Sequence, residues 1–126
     1  MAQTNVRRYS VRAGSTETFG RVLCSARTQH FVVDGPVQNG CPGEALSPAE
    51  LFLAGVASCG VELVQVIAAE QNVPLQAVSA TIEGIQDRDQ PVRPDVSLFN
   101  QVRLAFHLRG PTEEQGTQLI EAFKRR

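Results

Sequence analysis

The sequence has no surplus of either charge: twelve Lys and Arg stand against thirteen Asp and Glu in 126 residues, a formal net charge of −1. Its one basic block is Lys124-Arg125-Arg126, so no nucleic-acid surface is expected. Residues Met1 to Tyr9 lack an apolar run and a small-residue cleavage site, which argues against a secretory leader. Cysteine is scarce. Cys24, Cys41 and Cys59 are odd in number and far apart, unlike zinc ligands or the disulfide framework of a secreted domain, so reduced thiols and no metal or cofactor are expected. Internal repeats and low-complexity segments are missing too. These absences describe one soluble, cytoplasmic domain over residues 1–126, long enough to bury a core.

What is present begins as β-structure. Tyr9 and Val11 alternate with polar residues, Phe19 to Ser25 follows, and Phe31-Val32-Val33 runs into the turn Asp34-Gly35-Pro36. A glycine-rich loop over 37–46 leads to Ser47-Pro48-Ala49-Glu50, which reads as a helix start: an N-cap serine, proline at the first helical position and a glutamate that closes a capping box. The helix is expected to reach about Gln71, because Asn72-Val73-Pro74 disfavours its continuation. Val78, Ala80 and Ile82 alternate as a half-buried strand, 87–95 is an exposed connection, and Val102, Leu104, Phe106 and Leu108 mark a further strand with a polar second face. Thr112 to Gln115 is a second capping-box pattern, opening a helix with Leu119, Ile120 and Phe123 on its apolar side.

The stretch from Leu51 to Ala69 is long enough to cross a bilayer, but Glu62 and Gln65 interrupt it and no aromatic belt flanks it, so no membrane contact is expected. A helix apolar on every side needs cover on every side. Ala54, Gly55, Ala57, Ser58 and Gly60 leave room for a second backbone, and a second copy of the same helix in a two-fold homodimer would supply it.

In the middle of this helix stands Cys59. From composition alone a mid-helix cysteine is a small, inert hydrophobe. However, Gly43 to Cys59, G-x-x-x-S-P-x-E-L-F-L-A-G-V-A-S-C, resembles the OsmC/Ohr family of thiol-dependent peroxidases, and so does the order of elements along the chain. The resemblance implies an α+β fold, with antiparallel sheets around a long buried central helix, in an intertwined homodimer with its sites at the subunit interface. It implies that Cys59 attacks an organic hydroperoxide and becomes a sulfenic acid, in oxidative stress defence, with an external dithiol as reductant. Only a thiolate attacks. The helix dipole fades beyond the first turn, so an arginine has to favour the charged sulfur.

The family places that arginine ahead of the helix, where Arg21 and Arg27 stand, and Arg27 is the preferred of the two because the segment Arg27 to Asp34 looks like the family's strand before the glycine loop. The glutamate that orients it in the family corresponds to Ala49, leaving neighbouring Glu50, already the capping-box residue, as the candidate; Glu62, one turn past Cys59, is another carboxylate within reach. The family's second cysteine lies beyond a last helix, and residues 1–126 read as a domain without that segment. His30 reads as a structural histidine and His107 as an exposed one; a cysteine hydrolase would need one of them beside Cys59, and neither has that context. The alternative function is an OsmC-like dimer without peroxidase activity that binds a small ligand or senses oxidation.

Overall fold

The first three strands take their register from one tight turn. In the computed structural model, which describes residues 5–126, β2 (Arg21–Ala26) and β3 (Gln29–Asp34) form an antiparallel hairpin about Arg27-Thr28. Arg27 has φ 55°, the left-handed conformation such a turn demands. Arg21 therefore stands opposite Asp34, Leu23 opposite Val32 and Cys24 opposite Phe31. On the other edge of β2, β1 (Arg12–Ser15) pairs antiparallel, with Arg12 opposite Ser25.

The alternation at Tyr9 and Val11 predicts a strand there, but the strand starts only at Arg12. Continued backwards, the β1 register would set Val11 against Ala26 and Tyr9 against the Arg27-Thr28 turn, where the ladder ends; Tyr9 is 86% exposed. Residues 1–4, part of the stretch in which no leader is expected, lie outside the described residues.

The chain divides into two compact units, one ending at Leu51 and one running from Phe52 to Arg126. Helix α1 (Pro48–Glu70) starts with the expected capping box: Glu50 N–H donates to Ser47 Oγ at 3.2 Å, and Ser47 N–H donates to Glu50 Oε1 at 3.0 Å. Its far end is closed by Asn72 in the left-handed conformation (φ 54°). Val73 N–H bonds Ala68 O at 2.9 Å and Asn72 N–H bonds Ala69 O at 3.4 Å, a Schellman-type closure just before Pro74.

β4 (Ala77–Ile85) and β5 (Gln101–Arg109) form a separate antiparallel pair, with Ala80 opposite Phe106 and Ile82 opposite Leu104. Helix α2 (Glu113–Lys124) is capped reciprocally by Thr112 and Gln115, as its sequence predicts. The core of this unit is Val64, Ile67 and Ala68 of α1 with Leu119 of α2, surrounded by Val73, Leu75, Val78, Phe106, Leu108, Ile120 and Phe123. The fold is α+β, with two helices and antiparallel sheets.

Within one chain the buried residues of α1 are Gly60, Val64, Ile67 and Ala68, one side of the helix, which leaves open the faces expected to be covered by a second copy. A stretch of 18 residues in α1 has a mean hydropathy of 1.9, enough by length and composition to cross a membrane, and 22% of it is buried within one chain. Its apolar residues outnumber the positions that two strands and one helix can cover.

Candidate functional site

Helical geometry sorts the rest of α1 into two exposed strips. At 100° per residue, Phe52, Val56, Cys59, Leu63 and Val66 share one side, and Ala54, Gly55 and Ser58 share the adjacent one. Phe52 is 60% exposed and Val56 and Val66 are each 37% exposed. Cys59 is exposed on this apolar strip, unlike the small buried hydrophobe that composition alone suggests. The packed side of the helix carries Gly60 instead, one residue on, where a Cβ would lie 2.9 Å from Phe106 Cζ and 3.4 Å from Phe123 Cζ. Those two rings meet edge to face at 5.3 Å. That rotation of one residue turns the thiol outward. Glu62 is exposed on the flank of the same strip.

The other two thiols are sheltered. Cys24 is buried in β2, and Cys41 is half-buried in the loop before α1, where its Sγ lies 3.8 Å from Asn39 O. The loop closes over two glycines: a Cβ on Gly35 would stand 2.5 Å from Cys41 Sγ, and one on Gly20 (φ 80°) would meet the same sulfur.

The two arginines differ sharply in their surroundings. Arg21 makes a two-pronged pair with Asp34, Nε to Oδ1 at 2.8 Å and Nη2 to Oδ2 at 2.8 Å, and its Nη2 also reaches Glu44 Oε1 at 3.1 Å. Asp34 has no exposed side-chain surface, and its Oδ2 also accepts the backbone N–H groups of Glu44 (2.9 Å) and Ala45 (2.8 Å). The Arg21 hydrogen bonds, reinforced by those two amides against the opposing effect of burial, hold the Asp34 carboxyl far below the usual carboxylate range. Arg21 is raised in turn, by its hydrogen bonds to Asp34 and then to Glu44. One cation thus serves two carboxylates, and the cluster fixes the loop that delivers the chain to α1.

Arg27 occupies the turn between β2 and β3, at the end of the hairpin and not within a strand, and is exposed. Glu50 is exposed and hydrogen-bonded to Ser47, first through the backbone N–H and then through the side chain, which lowers its carboxyl below the ordinary glutamate range. Among the described residues Glu50 accepts from Ser47 alone. His30 is exposed in β3, which corrects the expectation of a satisfied structural histidine; His107 is exposed as expected. No group of three or more His, Cys, Asp or Glu that could hold a metal occurs among the described residues.

Sequence reasoning missed Asp34 and Glu44, treating the first as a turn residue. A hairpin centred on Arg27-Thr28 would have set Arg21 against Asp34, but that turn lacks the Asn-Gly or Asp-Gly that announces it.

Residues 41–126, which hold α1 with Cys59 and every later element, match the OsmC-like protein family. The chain belongs to the OsmC-like family. Its fold recurs in an OsmC-like protein from Mycoplasma pneumoniae, 15% identical, with a TM-score of 0.81 over 95% of this chain and 82% of that one. It recurs in a Legionella pneumophila organic hydroperoxide resistance protein OsmC, described as a predicted redox protein and regulator of sulfide bond formation, at 22% identity and a TM-score of 0.74, covering 95% of this chain and 84% of that one. An organic hydroperoxide resistance protein from Elizabethkingia anophelis is 18% identical, with a TM-score of 0.71 over 98% of this chain and 85% of that one. Comparison with curated proteins found no match. At these identities the likeness is one of fold. The family match includes Cys41 and Cys59, whereas Arg21, Arg27 and Asp34 precede it.

Proposed function

We propose that the protein is a thiol-dependent peroxidase that reduces organic hydroperoxides through Cys59, in defence against oxidative stress in the cytoplasm. The observation that carries this reading is the outward placement of Cys59 on an apolar strip of α1, in a family whose relatives include organic hydroperoxide resistance proteins. The Cys59 thiolate attacks the terminal oxygen of ROOH. An S–O bond forms as the O–O bond breaks, RO⁻ takes up a proton and leaves as the alcohol, and the sulfur becomes a sulfenic acid. An external dithiol then returns Cys59 to the thiol, releasing water and leaving as its own disulfide.

The activating cation is Arg27. Arg21 is engaged by two carboxylates, and a cluster of one positive and two negative groups does not favour a thiolate. Arg27 carries no such engagement among the described residues, and one guanidinium can hold both the thiolate and the departing oxygen. Glu50 supports the start of α1 through Ser47. The working unit is a homodimer in which the small-residue strip Ala54-Gly55-Ser58 meets a second copy and leaves the Cys59 strip to substrate.

The test is consumption of cumene hydroperoxide with excess dihydrolipoamide. The wild type turns over, Cys59→Ser does not, and Cys24→Ser and Cys41→Ser retain most of the rate; equal loss in all three variants would remove the case for one nucleophile. A second reading, an OsmC-like dimer without turnover that binds a small ligand or senses oxidation, is favoured by Ala49 in the position of the family's orienting glutamate. It predicts that Cys59 forms a sulfenic acid once and that no dithiol restores it at a useful rate.

A further inference from the structure

Helix α1 carries charge of one sign only. Between Pro48 and Glu70 stand the carboxylates Glu50, Glu62 and Glu70, with no Lys or Arg among them. The outer two are engaged: Glu50 accepts from Ser47 N–H at 3.0 Å, and Glu70 is paired with Arg126 at 3.0 Å. Lys124, at the end of α2, is held by Glu121 at 3.1 Å. Among the described residues Glu62 has no ion-pair partner.

Glu62 stands three residues after Cys59, about 4.5 Å further along the helix axis and about 60° around it. Side chains so placed are neighbours, with Cβ atoms about 5–6 Å apart. Long helical side chains lean back over the preceding turn, which carries a carboxylate at position 62 toward positions 58 and 59. Of the residues one turn to either side of the thiol, Gly55, Val56, Glu62 and Leu63, Glu62 is the one with a polar side chain. Ser58, next to Cys59 in the chain, donates its hydroxyl to Gly55 O at 3.1 Å. Cys59 and Glu62 are both exposed, so a reactant meets the sulfur beside a free carboxylate.

Resting on the peroxidase reading above, we infer that Glu62 is a specificity-determining residue that turns anionic reactants away from Cys59, so that the site takes peroxides and dithiols that are neutral or cationic near their reacting ends. A unit negative charge brought to the thiol comes within about 6 Å of the carboxylate, and in a water-filled setting that repulsion slows its reaction about threefold. Salt removes the effect, because the screening length shrinks from about 30 Å at 0.01 M to about 3 Å at 1 M. The discrimination lies in the charge of the reactant and not in bond-making at sulfur, and the contribution of Arg27 is common to every Glu62 variant.

The experiment compares alkylation by iodoacetamide, which is neutral, with alkylation by iodoacetate, an anion of similar size, read at Cys59 by peptide mapping. Both reagents take the thiolate, so the ratio of their rates at one pH does not depend on how much thiolate is present. In about 0.01 M salt the iodoacetamide-to-iodoacetate ratio should fall about threefold in Glu62→Gln and about tenfold in Glu62→Lys, and the three proteins should converge in about 1 M salt. With cumene hydroperoxide as oxidant, the kcat/KM preference for dihydrolipoamide over dihydrolipoate, its anionic counterpart, should shrink about twofold in Glu62→Gln. An unmoved alkylation ratio, a change in both reagents by one common factor, a difference that persists in high salt, or an unmoved dithiol preference overturns the inference while leaving the peroxidase reading intact. A wild type that consumes no peroxide removes that reading, and the alkylation ratios then still decide whether Glu62 repels anions from the thiol.

Discussion

Truncating Leu119 to alanine tests the packing that turns Cys59 outward. Leu119 has no exposed surface and packs with Val64, Ile67 and Ala68, the buried side of α1. The substitution deletes three buried carbons, about 2.4 kcal/mol of transfer free energy at ~0.8 kcal/mol each. The cavity left between two helices that cannot fully collapse raises the cost to about 3–5 kcal/mol. For a domain of this size that lowers Tm by roughly 12–20 °C. The assay is urea unfolding followed by circular dichroism at one fixed protein concentration, since any association contributes to apparent stability. The midpoint should fall with an unchanged m-value. Gln118→Ala, exposed on the same helix, should stay within about 0.5 kcal/mol of wild type. Well below its unfolding transition, Leu119→Ala should react with iodoacetamide at Cys59 within about twofold of the wild-type rate, because the thiol lies on the other side of α1. A loss below about 1 kcal/mol, indistinguishable from Gln118→Ala, would refute the assignment of Leu119 as the centre of the core.

Arg27→Met should slow peroxide reduction at least tenfold with little change in thermal stability, whereas Arg21→Met should unfold at lower temperature because it strands the buried Asp34 carboxylate; stopped-flow peroxide kinetics and scanning calorimetry separate the two. The folded-state pKa of Asp34 is depressed, so its contribution to stability is present above the unfolded carboxylate value of about 4 and is lost as pH falls below it. Asp34→Asn should therefore flatten the dependence of Tm on pH between pH 6 and 3, and an unchanged slope would count against the clamp. One equivalent of peroxide should yield a Cys59 sulfenic acid that dimedone traps, read by intact mass and peptide mapping. A rapid Cys41–Cys59 or Cys24–Cys59 bridge in place of the adduct would reveal a resolving thiol within residues 1–126. Sedimentation should find a dimer at micromolar concentration, and a stable folded monomer would defeat the role given to the Ala54-Gly55-Ser58 strip.

The parts of the fold that could be read from sequence are those written in local chemistry. Ser47-Pro48-x-Glu50 and Thr112-x-x-Gln115 announce helix starts because the side chains that close them are three residues apart. Asn72 before Val73-Pro74 marks the end of α1 for a similar reason, although the closure uses the left-handed Asn72 as much as the proline. Long-range facts were hidden. The pairing of Arg21 with Asp34 depends on where the hairpin turns, and Arg27-Thr28 is an unadvertised turn sequence. The exposure of Cys59 depends on which of two adjacent small residues faces Phe106. Nothing in the pattern Ser58-Cys59-Gly60 says that the glycine is the one under the rings. The two arginines are the extreme case, since nothing in the sequence says that Arg21 is paired with Asp34 and Glu44 while Arg27 sits in an exposed turn.

The nesting of Cys41 on Gly20 and Gly35 gives the loop a built-in reporter. Cys41 is half-buried, and its sulfur lies so close to those two glycines that neither has room for a side chain, so the glycines shield one side of the thiol while the loop is closed. A rise in its labelling rate under mild denaturant would therefore report the loop lifting off its seat. The same loop goes on to the backbone N–H groups of Glu44 and Ala45, which donate hydrogen bonds to Asp34 a few residues before α1 begins. Under mild oxidation the outward Cys59 and the seated Cys41 should age on separate clocks, the first set by chemistry and the second by the loop's own breathing.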